Sequence, residues 1–404
     1  MPQANTPTTH PRGSALEVFL AFLKLGLTSF GGPVAHLGYF REELIKRRQW
    51  LSEQGYADLI ALCQFLPGPA SSQVGFALGM IRGGFIGALL AWVAFTLPSA
   101  ALLFGFAYLA DAFGGPLGQS AIDGLKLVAV AVVAHAVWGM ARNLCPDRTR
   151  ALIALGGIAA VVFIPTAFGQ IGAITLGALA GLVWCRNLQR PEAGHIALPL
   201  SRRAGRVFLV AFFALLGGLP LAVALWPAHA LALFEAFYRS GALVFGGGHV
   251  VLPLLESRVV DTGWVSADAF LSGYGAAQAI PGPLFTFSAY LGAVDANLGG
   301  LLGASIAVLG IFLPGMLLLL GVLPFWDQLR RKRFAFPLMA GANAAVVGIL
   351  AAALYQPVWT SAVLTPSDFL IAAAGFVLLS VWKLSPLKVV VGIVVANTLL
   401  GLAS

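Results

Sequence analysis

Charge is what this chain has least of. Among its 404 residues only 10% are Asp, Glu, Lys or Arg, against 59% hydrophobic, and the mean hydropathy is +0.89. So few charges cannot cover a water-facing surface, so most side chains must meet lipid. Cysteine is scarce too: Cys63, Cys145 and Cys185 lie far apart with no paired spacing, which argues against a disulfide frame or a thiolate metal site and leaves packing as their role. No Gly-Lys-Ser or Gly-Lys-Thr triplet occurs, so no P-loop and no ATP-driven pump is encoded in the chain. HExxH, a serine nucleophile elbow and a metal-ligand cluster are missing as well, so neither an enzyme nor a cofactor or metal is expected. The net charge of +8 sits in short basic clusters between apolar runs, the pattern of cytoplasmic loops and not of a nucleic-acid partner.

What the chain does have is a stretch written twice. Phe19 to Gly26 continues to Phe30-Gly31-Gly32, and Phe234 to Gly241 continues to Phe245-Gly246-Gly247, 215 residues further on. Trp50, Gln64 and Pro67-Gly68-Pro69 recur as Trp264, Gln278 and Pro281-Gly282-Pro283 at a spacing of 214. A shared spacing across a cation, FGG, a tryptophan and PGP indicates a duplicated unit. The expected division is a polar, proline-rich tail over 1–14, a first repeat over 15–190, a linker with one extra transmembrane helix over 191–230, and a second repeat over 231–404. The tail is read as disordered and not as a signal peptide, since no small-residue cleavage site follows it.

The apolar runs are uneven in length. Leu16 to Pro33 contains Lys24 and breaks at Gly31-Gly32-Pro33; Leu37 to Gln49 is too charged to cross and should lie at the interface. Tyr56 to Leu66 and Ala70 to Met80 flank PGP, and each is about half the ~20 residues a span needs, which predicts re-entrant or broken helices. Uncharged or nearly uncharged runs follow at Gly84 to Ala110, Leu125 to Ala141, Ala151 to Ile164 and Thr166 to Cys185. Val207 to Trp226 has no partner in the first half.

Charge also orients the two copies. Arg41 to Arg48, Arg142 to Arg150 and Arg186 to Arg206 are basic, whereas the matching Glu256 to Asp261 is acidic and Tyr355 to Asp368 has no Lys or Arg. Arg330-Arg331-Lys332-Arg333 is basic where Asp111 to Gln119 is not. The bias swaps between copies, which predicts an all-α polytopic membrane protein of two inverted-topology repeats, with Val207 to Trp226 as the odd crossing. The N-terminus is expected inside and the C-terminus outside.

Inverted repeats place a shared site near the midplane, at the ends of discontinuous helices. One glycine-proline break is more often a packing device; four in symmetric pairs point to a site. Phe30, Gly31, Gly32, Gly246, Gly247, Pro67, Gly68, Pro69, Pro281, Gly282 and Pro283 form the breaks. Gln64 and Gln278 precede PGP, and Ser71, Ser72 and Thr286 put hydroxyls in the turns after it. Freed backbone amides and helix N-termini favour an anion. Lys24 and Arg239, equivalent in the two copies and set in apolar helices, would supply charge; snorkelling to the interface is the competing role. Glu42, Glu256, His36 and His249 are candidates to carry a coupling proton, with His135 a further histidine in an apolar run. Asp123 and Lys126, one turn apart, are expected to pair.

Phe30-Gly31-Gly32-Pro33, Trp50, Gln64 with PGP, Gly79 and Pro98, repeated as FGGG, Trp264, Gln278, PGP, Gly292 and Pro314, resemble both halves of the long-chain chromate ion transporter (CHR) family. The departure is Gly248-His249 where the first copy has Pro33-Val34. The resemblance implies a secondary transporter of the bacterial inner membrane that exports chromate and confers chromate resistance, with sulfate as competitor. An oxyanion channel or a sulfate transporter on the same scaffold is the alternative. A homodimer is left open by the sequence.

Overall fold

The computed structural model describes residues 13–112, 116–164, 166–186, 200–245, 248–329 and 332–403, and the regular structure among them is all helix, with no strand. The first repeat opens with α1 (Ala15–Thr28), capped by Ser14, whose hydroxyl accepts from the Glu17 amide at 3.1 Å. It stops at Gly31 and Gly32, both at positive φ. Pro33 then starts α2 (Gly32–Phe40), which runs directly into a π-helical turn over Arg41–Arg47. The charged stretch expected as a separate interfacial piece is therefore the outer half of one arm.

That arm returns to where α1 began. Glu17 accepts from the Trp50 indole at 3.3 Å, and Lys24 meets Glu43 at 2.9 Å, so FGG is the tip of a hairpin whose two ends lie together. The next elements, α3 (Glu53–Phe65) and the first arm of α4 (Ala70–Ala112), form a second hairpin with PGP at its tip. Its far end is tied to the same place, since Arg82 pairs with Glu17 at 3.0 Å and the Gly13 amide donates to the Arg82 carbonyl at 2.9 Å. Non-helical backbone at Gly83 and Gly84 then turns α4 into its long apolar arm. Thus FGG and PGP are both tips of helical hairpins. The first repeat ends with α5 (Pro116–Leu144), α6 (Arg148–Phe163) and α7 (Ala167–Trp184).

After α8 (Arg202–Leu225) the plan recurs: α9 (His229–Ala242), α10 (Val251–Val259), α11 (Ala267–Ala279), α12 (Phe287–Ala293) and α13 (Gly300–Val322). The base is latched as before, with other chemistry: His229 meets Asp295 at 2.8 Å and stacks edge-on against Trp264, the residue equivalent to Trp50. The short α14 (Trp326–Leu329) leads to α15 (Ala335–Ala353), the brief α16 (Thr360–Ala362), α17 (Pro366–Ser380) and α18 (Pro386–Ala403).

The two repeats exchange their last helices. α6 and α7 pack on α15 of the second repeat, while α17 and α18 pack on α5 of the first. The contacts are close because they are made by small residues: a side chain at Gly341 of α15 would sit 2.7 Å from the Gly181 Cα of α7. α8 packs on α13 and α9 and keeps most of its surface facing outward. Five helices among the described residues are long and apolar enough to cross a bilayer: Ala70–Leu109, Gly118–Leu144, Arg202–Leu225, Gly300–Leu329 and Ala335–Ala362. Lys126 pairs with Asp123 at 3.0 Å as expected, and also with Asp268 of α11 at 2.8 Å.

Candidate functional site

The exchange brings the breaks of one repeat onto those of the other. The Gly68 amide, at the PGP tip of the first repeat, donates to the Val244 carbonyl just before FGGG at 2.8 Å. The Gly282 amide, at the second PGP tip, donates to the Ser29 carbonyl just before FGGP at 2.9 Å. Ser29 and Val244 are equivalent positions, as are Gly68 and Gly282, so the two bonds are reciprocal between the repeats. Pro98-Ser99 and Pro314-Gly315 back the tips: a Cβ at Gly68 would lie 3.0 Å from the Gly315 Cα, and one at Gly282 would lie 2.7 Å from the Ser99 Oγ.

Between the two bonds the equivalent residues Pro33 and Gly248 face one another. A Cβ at Gly248 would come within 3.2 Å of Pro33 Cγ, so the crossing has room for one pyrrolidine ring and the second copy carries glycine there. The Gln73 side chain spans the junction, donating to the Pro67 carbonyl at 3.1 Å and the Gly315 carbonyl at 2.9 Å.

Several polar atoms at this crossing are buried and have no partner among the described residues. They include Ser29 Oγ, Ser72 Oγ, Gln73 Oε1, Thr96 Oγ1, Gln278 Nε2 and Ser288 Oγ. Each such group costs about 1–3 kcal/mol when nothing replaces its water, and a cluster of them calls for a ligand, water or ion. His36 is fully buried on α2; its Nδ1 lies 3.3 Å from Ser71 Oγ and its ring packs edge-on against Phe95.

The other expected site residues divide. Pro69, Pro281, Pro283, Ser71 and Ser72 are buried at the tips. Phe30, Gly32 and Pro67 are half-buried, while Gly31 and Gln64 are exposed. The Thr286 hydroxyl is spent on the Pro283 carbonyl at 2.6 Å. Gly246 and Gly247 lie outside the described residues.

The two cations are paired elsewhere. The Lys24 side chain is 52% exposed and its ammonium is taken by Glu43, which also accepts from Arg47 at 3.2 Å and Arg48 at 2.9 Å. Burial alone would raise the Glu43 carboxyl, but the hydrogen bonds from Lys24 and Arg48 outweigh it and hold the group down to about 2. Arg239 pairs with Glu235 one turn before it. Both pairings are made by carboxylates that sequence spacing had not singled out.

Among the proton candidates, Glu42 is exposed and paired with Lys46 at 2.7 Å. His249 meets the Tyr274 hydroxyl at 2.6 Å, and His135 meets Ser380 at 3.0 Å. Glu256 on α10 is partly buried with no ion pair among the described residues, and burial, then the charge of Asp261, push its carboxyl up to about 8.

A lipid-embedded helical bundle whose interrupted helices meet at buried, unpartnered polar groups has the build of a membrane transporter. The family profile described as Chromate transporter matches residues 16–182 and 231–401, one match per repeat, and the chain belongs to that family. It is 31% identical to a chromate transport protein of Pseudomonas aeruginosa over 98% of this chain and 94% of that one. It is 30% identical to a probable chromate transport protein of Synechococcus elongatus over 85% of each chain, and 28% identical to a chromate transport protein of Cupriavidus metallidurans over 96% and 94%. No solved structure gives a significant match.

Proposed function

We propose that this chain is a secondary transporter that exports chromate from the bacterial cytoplasm across the inner membrane, with sulfate as a competing oxyanion. The observation that carries the reading is the crossing of the four helix breaks through the reciprocal Gly68–Val244 and Gly282–Ser29 bonds. Buried polar atoms without partners gather there, as a site for a small tetrahedral anion requires. Relatives named as chromate transport proteins along nearly the whole chain supply the substrate. The two repeats lie with opposite topology, the N-terminus cytoplasmic and the C-terminus periplasmic, in keeping with the swap of basic loops between copies.

Outward movement of a dianion releases ~4.6 kcal/mol per 100 mV when the interior is negative, twice the single-charge value. The potential alone drives efflux, and an inward proton on Glu256, His36 or His249 adds to it. In this scheme Lys24 and Arg239 attract the anion electrostatically from outside the crossing, and the tips bind it.

Everted membrane vesicles test the function directly. They should accumulate chromate saturably, in a manner that depends on potential or pH gradient and is inhibited by sulfate, and Lys24→Ala or Arg239→Ala alone should reduce the rate. A non-saturating flux without counter-transport would favour a channel, and uptake indifferent to both gradients would refute secondary transport.

A further inference from the structure

The two reciprocal junctions have the same backbone and opposite chemistry. Where FGG of the first repeat meets PGP of the second, the surroundings are Ser29, His36, Ser71, Thr96 and Ser99. Under the repeat spacings the corresponding positions around the other junction are Val244, valine at 250 or 251, Phe285, Phe312 and Gly315. Every hydroxyl or imidazole has been replaced by an apolar group or by no side chain at all. The apolar junction is also filled: Phe312 packs against Trp92 and Phe285 with ring centres 5.8 and 5.9 Å apart, and Gln73 closes the gap to Gly315.

Polar atoms without partners occur at both junctions, as Gln73 Oε1 and the Trp92 indole nitrogen beside Phe312 at the apolar one and as hydroxyls at the other. Ser29 Oγ and Thr96 Oγ1 are unpartnered, on residues no more than 3% exposed, around the junction held by Gly282, and the fully buried His36 ring beside them touches Ser71 and the Ser29 backbone. Ser99, one helical turn after Thr96, donates its Oγ to the Thr96 carbonyl at 3.0 Å, and a Cβ at Gly282 would strike the same Ser99 oxygen. Serine and threonine hydroxyls are donors that rotate to suit an acceptor, which suits them to an oxyanion. A scaffold with two equal sites would keep them in both copies.

We infer that the transporter binds a single tetrahedral oxyanion per chain, at the Ser29–His36–Thr96 junction, and that the aromatic-filled Val244–Phe312 junction is a structural pivot. This rests on the oxyanion-transport reading and goes beyond it by choosing one of two equivalent places. The anion accepts from the Ser29 and Thr96 hydroxyls and from the His36 ring. Gly282 lets the second PGP tip approach close enough to shut the site from one side.

The test is titration of the purified full-length protein with chromate and with sulfate by calorimetry, alongside vesicle uptake. The expected result is one anion per chain, with Thr96→Val and Ser29→Ala each raising the chromate dissociation constant about tenfold, the loss of one hydrogen bond to a charged group. Thr96→Ser, which restores the hydroxyl, should recover most of the affinity and separates lost donation from lost folding. Two anions per chain, or affinity unchanged in both Thr96→Val and Ser29→Ala, would overturn the inference while leaving transport intact. Wild-type protein that neither binds nor transports chromate or sulfate would overturn the functional reading and this inference with it.

Discussion

The Gly282 amide reaches the Ser29 carbonyl at 2.9 Å, joining residues 253 positions apart in the sequence. The bond can form only because Gly282 holds φ at +107°, and its counterpart depends on Gly68 at +118°. A side chain at either place meets strained backbone, and at 282 it also meets Ser99 Oγ at 2.7 Å. The strain term alone is about 1–3 kcal/mol. Gly282→Ala and Gly68→Ala should both lower chromate uptake by everted vesicles at matched protein levels. The loss should be steeper for Gly282→Ala, which abuts the polar junction. Full uptake by Gly282→Ala would show that the close approach of the tip is dispensable.

The Glu43 carboxylate gathers Lys24, Arg47 and Arg48 at the base of the first hairpin. Glu43→Gln leaves three cations without their common partner and should lower stability by about 1–3 kcal/mol. The group's ordinary value is 4.5 and the fold depresses it to about 2, so its contribution is complete above 4.5 and fades as pH falls toward 2. Thermal unfolding in detergent should therefore show a constant gap between wild type and Glu43→Gln from about pH 5 to 9, narrowing only in acid. A gap that varied near neutrality would mean that Glu43 titrates there and has been misassigned as a fixed charge.

Helix exchange can be probed at Gly341, where α15 touches α7 through Gly181. Gly341→Leu inserts a side chain where a Cβ already comes to 2.7 Å, and overpacking of this kind costs about 1–3 kcal/mol or more. The variant should accumulate less in the membrane and lose uptake. Wild-type membrane level and uptake in Gly341→Leu would show that α15 and α7 do not meet at this point.

The breaks were legible in sequence because glycine and proline act locally: positive φ and a missing amide end a helix wherever they occur. The pairing of breaks across repeats was not, because a hydrogen bond from Gly282 to Ser29 leaves no trace in periodicity. Lys24 read as a costly buried cation for the same reason, since nothing in α1 reveals that the returning arm carries Glu43. The exchange of α6 and α7 onto α15 was hidden as well, since glycine and alanine faces are alike on every helix of the bundle. The asymmetry of the two junctions, by contrast, was present all along in the substitution of Val244 for Ser29 and of Phe312 for Thr96. It acquires meaning only once the tips are seen to cross, since a valine for a serine or a phenylalanine for a threonine in an apolar helix is ordinary by itself.

Glu256 offers the clearest handle on proton coupling. Burial raises its carboxyl from an ordinary 4.5 to about 8, with a further push from Asp261. The folded chain thus keeps a proton that the unfolded chain releases near 4.5, so stability is highest below that value and declines as pH climbs toward 8. Glu256→Gln, which cannot ionise, should flatten this slope when unfolding is followed from pH 5 to 8.5. In everted vesicles carrying a pH-sensitive dye, chromate entry should be accompanied by a proton signal that weakens above pH 8 and vanishes in Glu256→Gln. An unchanged signal in that variant would move the coupling proton to His36 or His249, where His36→Gln and His249→Gln should then abolish it.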